Sequence, residues 1–154
     1  MLKGTKYYSD RQEKMVAHYL GWQQVTGSGA RPTFVGDVIG DTWLGECKTH
    51  VSLTDKITFR FDVWDKLEKE AISRFQDPVL IVDDGSQKPE NTFVLIKLQD
   101  IPADKEVTDV SDSASFSIKN CNELKSRDKI STDFIRNGNY FVVFWLPTFR
   151  SLLK

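Results

Sequence analysis

The sequence predicts a mixed α/β domain, a central sheet with helices packed on it, and three observations carry that expectation. Apolar residues recur at helical spacing in two segments. Met15, Val16, Tyr19 and Leu20 form one stripe in RQEKMVAHYLGW, and Trp64, Leu67, Ala71, Ile72 and Phe75 form another in DVWDKLEKEAISRF. Between and after them lie β-rich runs: FVGDVIG, TWLGECKTH, PVLIVDD, TFVLIKLQ and NYFVVFWLP. The resulting order of helix, hairpin, helix and strands, with no internal repeat, suits a sheet covered by helices. A chain of 154 residues fits one domain spanning positions 1–154.

Each element has a local reason. Ser9 and Asp10 precede the first helix and Gly21 supplies its stop. TGSGARPT is a loop, dense in Gly, Ser and Pro. Gly40-Asp41 has the glycine-first chemistry of a tight turn joining FVGDVIG to TWLGECKTH. Pro78 closes the second helix, and GSQKPEN separates the next two strands. The segment 101–115, carrying Asp104, Glu106, Asp109 and Asp112, is too polar for core and is expected to be a mobile surface loop. SFSIKN reads as a short strand, NELKSRD as a short polar helix or turn, and TFRSLLK as a last turn of helix.

Composition narrows the class. No apolar run approaches the roughly 20 residues of a membrane span, and MLKGTKYYSD lacks the apolar segment of a signal peptide. The expectation is a soluble chain of the cytoplasm or its viral equivalent, with Cys47 and Cys121 as free thiols. A net charge of -1 argues mildly against a whole-surface nucleic-acid binder. Residues 1–60 nevertheless hold eight Lys/Arg against six Asp/Glu, and three of those acids are ones a metal site would neutralise, so a modest basic surface is expected there. Ordinary scattered surface charge accounts for the same numbers. Neither His18 nor His50 has a Ser or Cys nucleophile motif nearby, so a hydrolase triad is unsupported.

The chemistry concentrates in GDVIGDTWLGECKTH, residues 36–50. With Gly40-Asp41 as a two-residue loop, Asp37 faces Leu44, and the period of two puts Asp37, Leu44, Glu46 and Lys48 on one side of the sheet. Asp37 and Glu46 are then diagonal neighbours, near enough to share one divalent cation. Val38, Trp43 and Cys47 point the other way, which makes Cys47 a packing residue. Converging carboxylates repel unless a cation sits between them, and oxygen ligands favour Mg2+ or Mn2+. Such an ion activates water against a phosphodiester, with Lys48 orienting the water or meeting the charge on the phosphate. The same Asp, Glu and Lys on a solvated hairpin would be surface ion pairs, worth about 0 to 1 kcal/mol.

Asp37, a spacer, and Glu46-Cys47-Lys48 on a hairpin after an N-terminal helix resemble the signature of the PD-(D/E)XK nuclease superfamily, with Gly36 where that signature has Pro. Within it the chain is similar to archaeal-type Holliday junction resolvases and their phage relatives. The likeness rests on a helix carrying Glu13, on TGSGA, and on GDVIG and GECKTH, and covers residues 4–52. It implies a restriction-endonuclease-like mixed central sheet flanked by helices, and a Mg2+-dependent endodeoxyribonuclease acting on branched DNA. Asp37, Glu46 and Lys48 would be catalytic, and Glu13 a further metal or water ligand. Asp10-X-X-Glu13 also reads as a capping box, which would leave Glu13 only a structural task. Ser28 and Arg31 in the glycine loop, Lys6 and Arg11 near the basic N-terminus, and His50 are candidate DNA contacts. A plain connecting loop and an exposed strand-end histidine are the alternatives for Ser28, Arg31 and His50. A junction-cutting enzyme should be a homodimer, since a two-fold pair of sites matches the symmetry of a four-way junction. The expected contact is either helix two, through Trp64 and Phe75, or the run YFVVFWLPTFRSLL. Two rivals stand beside this reading: a nuclease of the same chemistry acting on duplex, flap or DNA ends, and a non-catalytic DNA-binding protein of the same fold.

Overall fold

The computed structural model describes residues 4–25, 36–119 and 132–153. The TGSGARPT loop with Ser28 and Arg31, Cys121, and NELKSRD lie outside them. A seven-stranded sheet runs in the order β1 (Gln23–Gln24), β2 (Val38–Ile39), β3 (Trp43–Lys48), β5 (Asp77–Asp83), β6 (Thr92–Leu98), β9 (Asn139–Trp145) and β8 (Thr132–Arg136). β3 and β5 are parallel and every other pair is antiparallel, so the sheet is mixed. β4 (Lys56–Arg60) pairs with β7 (Ser115–Lys119) in a separate two-stranded sheet. Among the described residues no helix is long and apolar enough to cross a membrane.

Alternation along the strands builds two cores. One face of the sheet, with Leu44, Leu80, Val82, Leu95, Phe141 and Val143, packs against α2 (Phe61–Ser73) through Trp64, Leu67 and Ala71, and against β4 through Ile57 and Phe59. The other face, with Val38, Cys47, Ile81, Val94 and Phe144, packs against α1 (Thr5–Leu20) through Val16 and Ala17, and against α3 (Leu146–Leu152) through Phe149. The parallel crossover from β3 to β5 carries β4 and α2. The α2 face of β3 therefore continues from Leu44 through Glu46 to Lys48.

Several expectations need correction. α1 begins at Thr5 with Gly4 as its N-cap, so Asp10 lies inside the helix, where it pairs with Lys14 at 3.0 Å, and no capping box exists at Glu13. Gly21 does end the helix, at φ 72°. α2 stops at Ser73, short of Pro78. The amide of Gln76 bonds to the Ala71 carbonyl at 2.9 Å and that of Phe75 to the Ile72 carbonyl at 3.1 Å, which closes the helix with Phe75 in the left-handed region at φ 58°. Pro78 belongs to β5, at a level where that strand has not yet met β6 and its missing N–H costs little. Helical spacing also misassigned Ile72, which lies inside α2 but is 64% exposed, and Phe75, which lies past its end and is 97% exposed, while Trp64 is fully buried. The large side chains from Tyr140 to Phe144, with Leu146 and Phe149, are buried as well. Trp64 and most of the C-terminal run are thus unavailable as a dimer contact. The segment 101–115 is not free of the fold: the Ile135 amide bonds to the Thr108 carbonyl and the Val110 amide to the Ile135 carbonyl, each at 2.8 Å, and Lys105 pairs with Asp133 at 2.6 Å.

An exposed phenylalanine held left-handed costs about 1–2 kcal/mol and gains little packing in return. Phe75→Gly is expected to raise unfolding stability by about 1 kcal/mol, read as the denaturation midpoint in urea; a fall would show that the ring contributes packing after all.

Candidate metal and phosphodiester site

The hairpin places the motif on the expected face but in a different register. Ile39 pairs with Leu44 and Val38 with Gly45, and the Gly40 amide bonds to the Trp43 carbonyl at 3.0 Å, so Asp41-Thr42 is the turn. The shift is two residues, which keeps Leu44, Glu46 and Lys48 on their face, while Asp37, just outside β2, donates its amide to the Gly45 carbonyl at 2.7 Å. Gly40 is small for another reason: a Cβ there would lie 2.5 Å from the Trp22 ring. Gly36, where the superfamily signature has Pro, is likewise crowded, its added Cβ lying 2.4 Å from the Leu44 side chain. Asp41→Asn is expected to leave stability within about 0.5 kcal/mol and activity unchanged, because this exposed turn residue lies away from the carboxylates. Loss of activity in that variant would place the chemistry on the wrong aspartate.

Asp37 is anchored by the Cys47 amide, which donates to its Oδ2 at 2.9 Å. Its carboxyl meets that of Glu46, which is 8% exposed and forms an ion pair with Lys48, Nζ to Oε1, at 3.3 Å. Two carboxylates cannot donate to each other, and Glu46 Oε2 is buried without a hydrogen-bond partner among the described residues. The group asks for a proton or a cation at that atom. Burial first, then the Asp37 charge, pushes the Glu46 carboxyl up to about 8 in spite of Lys48, and burial also raises Asp37. Lys48 reaches solvent, with its side chain about half exposed.

Glu13 stands at the rim. It is half-buried, accepts from Gln24 Nε2 at 3.4 Å, and is pushed up to about 7 by burial and then by Asp37. It feels the charge of Asp37, yet among the described residues no three His, Cys, Asp or Glu side chains gather into a ready metal cage. The described carboxylates that meet there, and that could hold a cation, are therefore Asp37 and Glu46. His50 is exposed just beyond β3, and Lys6 and Arg11 are exposed on α1, Arg11 beside the Tyr7 hydroxyl at 3.5 Å; the structure does not bring those two to the carboxylates. Cys47 is buried, and burial pushes its thiol well up, as suits a packing residue.

Sequence reading missed the groups that hold the backbone around Lys48. Gln12 is fully buried and donates Nε2 to the Lys48 carbonyl at 2.7 Å. Thr49 bonds through its hydroxyl to Asp83 and accepts from Gln87 Nε2 at 2.9 Å, while the Gly85 amide donates to Asp83 at 2.9 Å. These contacts fix both sides of the lysine, and no local motif announces them. No protein-family model, no curated protein and no solved structure matches the chain.

Proposed function

We propose that this chain is a Mg2+- or Mn2+-dependent endodeoxyribonuclease acting on branched DNA, with Asp37 and Glu46 holding the ion and Lys48 meeting the scissile phosphate. The observation that carries the reading is that Glu46, whose carboxyl meets that of Asp37, has a buried Oε2 with no hydrogen-bond partner among the described residues and an ammonium 3.3 Å from its other oxygen. A divalent ion, when bound there, would supply Lewis acidity toward a phosphate and a lowered pKa for water. The protein's own groups do the rest. Asp37, fixed by the Cys47 amide, keeps the pair in register, and burial removes competing water from Glu46. Lys48 extends to the solvent side, where its ammonium can pair with a non-bridging phosphate oxygen as negative charge grows. Glu13, whose carboxyl burial and the Asp37 charge push up to about 7, can take a proton from a water that enters beside Asp37.

Junction cutting further requires two sites at fixed separation, hence a homodimer. The test compares Mg2+-supported cleavage of a four-way junction with that of a linear duplex of the same sequence, with mass in solution measured by light scattering. Paired cuts in the junction by a dimer are expected. A monomer cutting both substrates equally would leave a simpler nuclease, and no cleavage with either ion would remove the enzyme.

A further inference from the structure

On the α2 face, next to Lys48, the surface opens into a cleft of about 340 Å³. Leu80 and Val82 of β5 and Val63 of α2 line it with apolar surface, while Lys48, His50 and Arg60 supply its polar boundary. Among the described residues no carboxylate lines it. Arg60 does pair with Asp62 at 2.8 Å, but both side chains are more than half exposed, so an incoming anion can compete for the guanidinium.

We propose that this cleft receives the nucleotide adjoining the scissile phosphate, unpaired and turned out of the helix. The inference rests on the nuclease reading above and names the substrate class of that site. Three features carry it. An apolar floor with a basic boundary matches a flat base whose sugar is joined to phosphates. Lys48 belongs both to the cleft and to the ion pair with Glu46, so a nucleotide seated in the cleft brings its phosphate to the carboxylates. A recess of this size on a sheet face cannot admit a base that stays stacked in a duplex. The base must leave the stack at a cost of a few kcal/mol, least where it is already unpaired. The enzyme then selects flaps, mismatches and branch points over continuous duplex through this cleft.

The test uses the full chain and one DNA sequence in three forms: fully paired, with a single mismatch, and with a short flap. With Mg2+ the wild type is expected to cut the mismatched and flapped forms roughly tenfold or more faster than the paired form, beside the unpaired nucleotide. Val63→Trp, which fills the cleft, and Arg60→Glu, which reverses its boundary charge at an exposed position, should lose that preference through slower cutting of the unpaired forms. A second arm needs neither metal nor turnover: fluorescence anisotropy of a labelled single-stranded oligothymidylate, with both variants expected to bind roughly tenfold more weakly. Equal cutting of all three DNAs, with both variants like the wild type, overturns the cleft assignment and leaves the nuclease standing. Absence of all cutting overturns the nuclease, and the oligothymidylate arm still decides the cleft: unchanged binding by both variants overturns it.

Discussion

Lys48→Ala is expected to slow Mg2+-supported DNA cleavage roughly 100- to 1,000-fold, the usual loss when one preorganised cationic or hydrogen-bonding group is removed from a reacting phosphate or acyl centre. Stability should change by no more than about 1 kcal/mol, because the side chain is half exposed and its ion pair with Glu46 is screened by water. The separation of the two readouts is the point. Gln12 still donates to the backbone carbonyl at position 48, and Thr49 is still held by Asp83 and Gln87, so the strand end keeps its shape without the ammonium. Single-turnover cleavage of a junction, set beside a urea melt, checks both halves. Turnover within a few-fold of wild type would remove Lys48 from the chemistry.

Glu46→Gln should move activity and stability in opposite directions. Cleavage is lost because the carboxylate that would share the ion is gone. The metal-free protein at pH 8 should become more stable by about 1–3 kcal/mol, since a neutral amide replaces a buried charge and can donate to the Asp37 carboxylate. At this chain length that corresponds to a rise of about 2–4 °C in Tm for each kcal/mol. The sign follows from linkage. Folding raises the Glu46 carboxyl from 4.5 to about 8, so the folded state binds the proton more tightly than the unfolded chain does. That contribution is complete below about pH 4.5 and is lost as pH climbs to 8. Glu13, raised to about 7, adds the same trend over pH 4.5 to 7. Wild-type Tm without metal should therefore fall across this window and the variant's should fall less, with the two curves converging near pH 4. Mg2+ should restore the wild type at pH 8, by binding only its folded state, and leave the variant unmoved. Parallel curves for the two proteins would show that Glu46 does not carry the buried charge.

Much of the site was legible because side-chain parity on a strand survives a register error of two. Glu46 and Lys48 share a face of β3 whether the turn is Gly40-Asp41 or Asp41-Thr42, and the Asp37 carboxyl still meets that of Glu46 although the turn moved. The turn itself was hidden by Gly40, whose smallness serves the Trp22 ring above it, a contact from a residue 18 positions away. In α2, helical periodicity does not report its own end, and the left-handed cap fell on a phenylalanine where a glycine would have signalled it. Three strands were missed, the two-residue β1 without a local signal and two others despite one. KITFR alternates buried Ile57 and Phe59, and Asn137-Gly138, both at positive φ, is the tight turn between β8 and β9. The Thr49–Asp83–Gln87 cluster was out of reach of any local reading, because it exists only once β3 and β5 lie parallel across a crossover through β4 and α2.

The central claim, that Asp37 and Glu46 together hold a divalent cation, is tested most directly by titrating Mn2+ into the metal-free protein at pH 7 by calorimetry, in two buffers of different ionisation enthalpy. The expected result is binding accompanied by proton release, because the ion displaces the proton shared by the pair, and loss of both the binding and the proton release in Glu46→Gln. Absence of binding by the wild type, or binding of equal strength and equal proton release in Glu46→Gln, would contradict it.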